Sequence, residues 1–357
     1  MQIKVNRVAQ GKAKPADESK LGFGKLFTDH MFIVEYEEGK GWYNPRIEPY
    51  HALALDPAST VLHYGQEIFE GLKAYRAKDG RILMFRAKDN CIRLNRSAER
   101  MRMPQIDVDF NMKAMQMLVD VERDWVPHSE GTSLYIRPTM IANDVGLGVH
   151  AAHNYIYYII CAPSGAYYPE GLAPIKIRVE DRYVRAVEGG TGEAKTGGNY
   201  AASIKAADEA SAEGYAQVLW LDGAERKYIE EVGAMNMMFI IGDTLVTAAL
   251  HGSILPGITR ASILTLAREM GLKVEERKLS IDELMAAARD GGLKEAFGTG
   301  TAAVVSPVGH LTYRGETVPV QDSGIGPITM KFYNMLTAIQ WGSEPDTHGW
   351  VSEVPKF

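Results

Sequence analysis

Hydrophobic and polar positions change period several times along the chain, and each change marks an element. Met31 to Tyr36 and Trp42 to Pro45 carry β-branched and aromatic residues around the turn Glu38-Gly39-Lys40, which predicts two strands. Residues 1–30 before them are polar with Gly and Pro, and read as a loosely ordered arm. Lys78-Asp79-Gly80 is a hairpin turn signal ahead of a strand from Arg81 to Phe85. Asp89 is placed to cap a helix reaching Met101, and Asn111 one reaching about Trp125. Ser133 to Ile141 and Asn154 to Cys161 read as strands. Pro, Gly and Ser then cluster from Ala162 to Pro174, a linker composition. Beyond it Ile175 to Val179 restarts a strand pattern. Asn199 can cap a helix to about Ala212, with Tyr200, Ile204 and Ala207 on one face. Gln217 to Leu221 and Tyr228 to Ile241 predict strands, and Ile258 to Met270 a helix. Ser280 with Glu283 forms a capping box; Phe297 to Val308 is strand-like, and Pro327 to Trp341 is a last helix. Strands and helices mix in both halves, which makes the fold class α/β (α+β). The predicted division is an N-terminal small domain over 1–160, a linker over 161–174 and a C-terminal large domain over 175–357.

Composition narrows the function classes. At 357 residues, 46% hydrophobic and 24% charged, the chain has the make-up of a globular protein of two domains. A net charge of -6 argues against a nucleic-acid surface and offers nothing to an anionic membrane. The longest apolar run, around Tyr155 to Ala162, is too short to span a bilayer, and no apolar run marks the N-terminus. A cytoplasmic location is the expectation. Cys91 and Cys161 form no Cys-x-x-Cys pair, so zinc held through cysteine is not expected, nor is any other metal.

The densest chemistry lies in Gly189-Gly-Thr-Gly-Glu-Ala-Lys195-Thr-Gly-Gly-Asn-Tyr200. Lys195 is its only cation, bracketed by glycines that let a backbone approach a ligand closely. Such a lysine can bind phosphate by charge or act as an amine nucleophile toward an aldehyde cofactor; most loop lysines are simply solvated. Gly189 to Thr196 nearly matches a nucleotide-binding P-loop, with Asp222 after a strand as the metal-binding partner. Ala194 stands where that loop needs glycine, and Gly197-Gly198 where it needs helix. Gly298-Thr-Gly300-Thr-Ala-Ala303 matches a relaxed dinucleotide fingerprint, but Pro307 interrupts any following helix; a turn offering Thr299, Thr301 and free amides fits better. Pro256-Gly257-Ile258-Thr259-Arg260 opens a helix whose free amides suit a phosphate, or is an ordinary helix start. Arg93 shares a helical face with Arg96 and Arg100. Glu230 and Glu231 sit in a strand pattern, so only one is expected to point inward, where it needs a partner.

Seven motifs occur in one order: His63-Tyr-Gly65, Phe69-Glu-Gly71, Tyr135-Ile-Arg-Pro138, Lys195-Thr-Gly-Gly-Asn-Tyr200, Glu231-Val-Gly-Ala-Met-Asn236, Leu255-Pro-Gly-Ile-Thr-Arg260 and Phe297-Gly-Thr-Gly-Thr-Ala302. Together they resemble the branched-chain amino acid aminotransferases, enzymes of the two-domain fold-type-IV architecture that use pyridoxal 5′-phosphate (PLP). The resemblance runs from about Phe23 to the C-terminus and displaces the P-loop reading. It implies that Lys195, in the large domain, links covalently to PLP and shuttles the proton at Cα. Glu231 matches the glutamate on the pyridine nitrogen, and Tyr200 the tyrosine on the phenolate oxygen. Arg93, the amides of Ile258 and Thr259, and Thr301 match the phosphate-binding set.

On the substrate side the resemblance assigns Tyr64, Phe69, Tyr135 and Tyr167 to the walls of an apolar pocket, although aromatics also commonly fill cores. Thr301-Ala302 matches the α-carboxylate site, and Arg137 with Tyr64 the groups that receive a glutamate γ-carboxylate. Asp144-Val-Gly-Leu-Gly-Val149 resembles the loop that completes the neighbouring subunit's pocket, which implies a homodimer. Two positions depart from the pattern. Ala234 stands where some relatives carry threonine, and Ala303 and Ser306 where mammalian members carry a redox-active Cys-x-x-Cys. The expected reaction is ping-pong amino transfer between L-leucine, L-isoleucine or L-valine and 2-oxoglutarate. D-amino acid transaminase and aminodeoxychorismate lyase activities are the alternatives within the fold.

Overall fold

Strand-forming runs in the first part of the chain pair into one mixed sheet. In the computed structural model, which describes residues 1–167 and 172–357, they are β1 (Lys4–Val5), β2 (His30–Glu37), β3 (Gly41–Pro49), β4 (Glu67–Phe69), β5 (Leu72–Arg76), β6 (Ile82–Phe85), β7 (Ser133–Ala142) and β8 (Asn154–Ser164). Their order is β1-β3-β2-β8-β7-β5-β6 and then the C-terminal strand Val351–Glu353, with β4 paired to β7. Only β1 and β3 run parallel among these pairs. The helices of this part are α1 (Thr60–Tyr64), α2 (Ala87–Arg100) and α3 (Val108–Val121).

Strand alternation gives this sheet two different faces. Leu134, Ile136 and Met140 of β7 share one buried cluster with Cys91, Leu94 and Ala98 of α2 and Ala114, Met115 and Leu118 of α3. The odd-numbered residues Tyr135, Arg137 and Thr139 point the other way. Register places Phe69 opposite Thr139 and Lys73 opposite Tyr135, so these side chains share that second face. It is the polar and aromatic side of the sheet.

A second set of elements follows: β9 (Ile175–Glu180), α4 (Gly197–Ala201), α5 (Ile204–Ala212), β10 (Gln217–Leu221), β11 (Ile229–Val232), β12 (Met235–Ile241), β13 (Thr244–Thr247), α6 (Ile258–Glu269), β14 (Lys273–Glu276), α7 (Ile281–Arg289), β15 (Leu293–Gly300), β16 (Val304–Tyr313), β17 (Glu316–Pro319) and α8 (Pro327–Gln340). The strand order is β11-β10-β9-β16-β15-β12-β13-β14, with β17 on β16. An additional β11–β12 pairing closes the run from β11 to β12 into a ring. Closure removes the open edges that a flat sheet would leave. By contacts the chain forms two units, Met1–Pro169 with Ala194–Gly197 and Ala338–Phe357, and Glu170–Glu193 with Gly198–Thr337. The segment 168–171 of the predicted linker lies outside the described residues.

Several local expectations are corrected. The N-terminal arm is docked: β1 pairs with β3, Ile3 and Leu21 are buried, and the Glu18 carboxylate accepts from the amides of His128 and Ser129. Helix α2 starts at Ala87 behind Arg86, which takes a left-handed conformation (φ 50°) and donates to Asp89, so Asp89 is a first-turn residue and no cap. Asp107 caps α3 by accepting from the Phe110 amide at 2.8 Å; Asn111 lies inside, buried, where Tyr157 Oη donates to it at 2.6 Å. Asn199 lies within α4 and donates to Thr191 O, while α5 buries Ala206 and Ala210 and leaves Ile204 exposed. Two predicted long strands are hairpins, broken at Gly233-Ala234 and at Thr301 to Ala303. The capping box stands: Ser280 Oγ accepts from the Glu283 amide at 3.1 Å.

Candidate active site

Lys195 belongs by contacts to the first unit, although the residues on both sides of its short segment belong to the second. Three interactions lay that segment along β4. The Phe69 amide donates to Lys195 O at 3.0 Å, Thr196 Oγ1 donates to Glu67 O at 2.7 Å, and the Gly197 amide donates to the Glu67 carboxylate. Ser97 Oγ of α2 accepts from the Lys195 amide at 2.9 Å. The backbone of the lysine is therefore held from two elements while its side chain stays half-buried. Its Nζ sits 4.8 Å from the centre of the Phe69 ring.

The same face carries the predicted substrate groups of this unit. Arg137 Nη2 donates to Tyr135 Oη at 3.0 Å, and the guanidinium lies over the Phe69 and Tyr135 rings at 4.7 and 5.2 Å. Gly71 makes room for Tyr135, since a Cβ there would fall 2.0 Å from the phenol oxygen. Tyr64, at the end of α1, is exposed and donates to Leu147 O in the loop after β7. Val149 of that loop and Tyr167 are also exposed.

Behind the lysine is a buried ion pair that joins Arg93, read from the sequence as a phosphate-binding residue, to Glu70, for which the sequence offers no role. Glu70 accepts from Arg93 Nε and Nη2, both at 2.8 Å, and from Asn90 Nδ2 at 2.8 Å. Burial alone would raise the Glu70 carboxyl, but the Arg93 guanidinium, Lys195 and Asn90 hold it below the usual range. Arg93 is thus oriented by Glu70. Glu67 is the opposite case: burial pushes its carboxyl up, against the Gly197 amide and Arg137. The Phe69-Glu-Gly71 motif contained Glu70; nothing in the spacing pointed to Ser97 or Glu67.

In the second unit Glu231 and Glu230 of β11 are both buried, which corrects the expectation that only one could point inward. Adjacent strand residues do face opposite ways, but each side of β11 is covered and each carboxylate has a partner. Ser253 Oγ donates to Glu230. Glu231 Oε1 accepts from the Leu255 amide at 2.8 Å and lies 3.5 Å from Asn236 Nδ2; Arg185 Nε lies 3.4 Å from Oε2. Arg185 carried no sequence signal. Asn236 also donates to Leu255 O at 3.0 Å, so the loop that carries Leu255 is pinned beside Glu231.

That loop leads into α6. Its N-cap is Gly257, which makes no side-chain cap, so the Ile258 and Thr259 amides are not satisfied by a capping side chain. Glycine is required at this cap, because a Cβ would fall 1.9 Å from Asn236 Oδ1. Arg260 ties the helix start to Ala248 O and Glu276, each at 2.9 Å. Thr301 and Ala302 form the half-buried turn between β15 and β16, and Tyr200 is half-buried in α4. Ala234 is exposed at the tip of the β11–β12 hairpin.

These donors fit a phosphorylated pyridine aldehyde. A buried carboxylate suits a protonated ring nitrogen, and an uncapped helix start suits a phosphate dianion. The comparisons agree. The family model for amino-transferase class IV matches residues 67–311. Branched-chain-amino-acid aminotransferase 2 of Bacillus subtilis (strain 168) is 53% identical over 352 residues, covering 99% of this chain and 97% of its own. Among solved structures, the branched-chain amino acid aminotransferase of Escherichia coli matches at a TM-score of 0.75 and 29% identity, over 90% of this chain and 99% of that one. The branched-chain aminotransferase of the thermophilic archaeon Thermoproteus uzoniensis, solved with norvaline, matches at 0.75 and 26%, over 91% and 100%.

Proposed function

The chain belongs to the class IV aminotransferases, PLP-dependent transaminases, and on that premise we propose how its residues carry the reaction and what they select. Amino groups pass between L-leucine, L-isoleucine or L-valine and 2-oxoglutarate in a ping-pong cycle. The observation that carries this reading is one sheet face holding an amine, an aromatic wall and a cation together: Lys195 beside Phe69, with Arg137 and Tyr135 alongside.

Bound PLP supplies an aldehyde that takes up the amino group and a ring that accepts the electrons released at Cα. Lys195 would supply the amine that holds the cofactor's aldehyde and the base that moves the Cα proton. Its backbone bonds to Phe69 and Ser97 keep the amine within a fixed arc. Glu231 would keep the ring nitrogen protonated, and the bond from the Leu255 amide fixes its carboxylate. Tyr200 would donate to the phenolate oxygen. The Ile258 and Thr259 amides, Thr301 and Arg93 would bind the phosphate, with Glu70 setting the plane of Arg93. Tyr64, Phe69, Tyr135, Tyr167 and Val149 wall the apolar side chain, while the turn at Thr301-Ala302 takes the α-carboxylate. Arg137 with Tyr64 receives the second carboxylate of glutamate, so that one pocket serves both partners of the cycle.

We also propose a homodimer, supported by the exposed apolar Val145, Leu147 and Val149, and a cytoplasmic location, which the buried free thiols Cys91 and Cys161 suit. Among the described residues no helix is long and apolar enough to cross a membrane. Borohydride reduction of the yellow holoenzyme followed by peptide mapping tests the central assignment. The label is expected on Lys195, with Lys195→Ala almost inactive in a leucine and 2-oxoglutarate assay; a label on another lysine sinks it.

A further inference from the structure

Asp144, His150 and His153 bring one carboxylate and two imidazoles to the stem of the loop after β7, with one ligand atom from each lying within 4.8 Å of the others. The two oxygens of Asp144 have separate tasks. Oδ1 accepts from the Asn154 amide at 2.7 Å and from Asn154 Nδ2 at 3.0 Å. Oδ2 faces both rings, at 3.1 Å from His150 Nε2 and 2.9 Å from His153 Nδ1. The His153 amide reaches both oxygens at 3.0 Å. Burial would raise the Asp144 carboxyl, but these amides and imidazoles hold it well below the usual range, so it is an anion.

The far side of each ring is also occupied by an acceptor. His150 Nδ1 lies 2.9 Å from Gly148 O, and His153 Nε2 lies 3.5 Å from the Glu38 carboxylate. A carbonyl cannot donate, so His150 Nδ1 must carry a hydrogen there. A neutral ring then turns the bare lone pair of Nε2 toward an anionic oxygen. Something positive has to stand between them, either a second proton or a cation. An imidazole that donates its outer N–H to a carbonyl or carboxylate while its inner nitrogen converges with a carboxylate is the usual surrounding of a metal-bound histidine.

We propose that Asp144 Oδ2, His150 Nε2 and His153 Nδ1 bind a divalent transition ion of the zinc type, with Gly148 O and Glu38 orienting the two rings. Tetrahedral zinc with bonds of about 2.0–2.1 Å sets its ligands about 3.3 Å apart, a few tenths of an ångström beyond the 3.1 and 2.9 Å that separate Asp144 Oδ2 from the two imidazole nitrogens. The ion takes the place of a proton, which leaves to solvent on binding. The fourth position faces water, since His150 and His153 are 41% and 56% exposed. Because the ligands stand at 144, 150 and 153, the ion clips together the two ends of the loop that carries Val145, Leu147 and Val149.

Zinc chloride alone is the probe, titrated by calorimetry into the holoenzyme in a non-chelating buffer. The unmodified protein is expected to take up one zinc per chain and to gain thermal stability from it. His150→Ala and His153→Ala, both at exposed positions, should each weaken binding at least about tenfold and lose that gain. Glu38→Gln, which leaves all three ligands in place, should weaken it by about tenfold as well. His51→Ala, remote from the site in sequence, should bind as the parent does. No zinc uptake by the unmodified protein overturns the proposal, and so does affinity equal to the parent's in either histidine variant.

Discussion

Lys73 shows how much one buried side chain can impose on the rest. It points to the polar face of the first sheet, opposite Tyr135, yet is only 8% exposed. Burial pushes its ammonium down from an ordinary 10.5 to about 8. Below about 8 both the folded and unfolded chains hold that proton, and folding carries the full cost of burying the charge. Between about 8 and 10.5 the unfolded chain binds more protons, so the contribution to stability rises with pH across that window. Urea midpoints of the parent should rise there relative to those of Lys73→Met; parallel curves for the two would refute the assignment. Glu70 and Arg93 make a second case at this scale. Their pairing joins the link between β4 and β5 to α2, and spacing along the chain does not show that these two residues meet.

Among the elements, helix starts separate what is legible from what is not. Ser280 and Glu283 cap α7 from within three residues, and the sequence states that bond outright. Helix α8 is capped from far away. Glu295 of β15 is buried and accepts from the Ile328 and Thr329 amides at 3.0 and 2.7 Å, and from Thr329 Oγ1 at 2.6 Å. A carboxylate there meets free N–H groups and the positive end of the helix dipole. Glu295→Ala should cost about 2 kcal/mol by chemical denaturation, the upper end for loss of an N-cap, and Glu295→Gln less. No change in either variant would mean that solvent serves those amides equally well. The misread caps have the same cause. Asp89 and Asn111 look like caps by type, but Arg86 and Tyr157 claim their side chains. The two hairpins read as single strands in the sequence because a tight hairpin needs few turn residues, and Gly233 and Thr301 to Ala303 interrupt the β pattern only briefly.

At the scale of the whole molecule, the loop with exposed Val145, Leu147 and Val149 makes the proposed homodimer testable. Light scattering should return twice the chain mass for the parent. Leu147→Asp, which sets a charge in an apolar interface, should shift it toward the monomer and lower kcat/KM at least about tenfold. A monomeric parent with full activity would remove the dimer from the proposal. By itself the sequence determined most strands and helices, because hydrophobic period and turn residues act over a few positions. It also determined the family, through seven motifs whose order survives any uncertainty in the fold between them. The tertiary structure alone decided the closing of the ring by β11 on β12, the burial of both Glu230 and Glu231, and the joining of Asp144, His150 and His153 around one oxygen. Each of those depends on which groups meet after the chain has folded back. A charged side chain is stable in the interior only beside its partner, and one-dimensional spacing does not specify that partner.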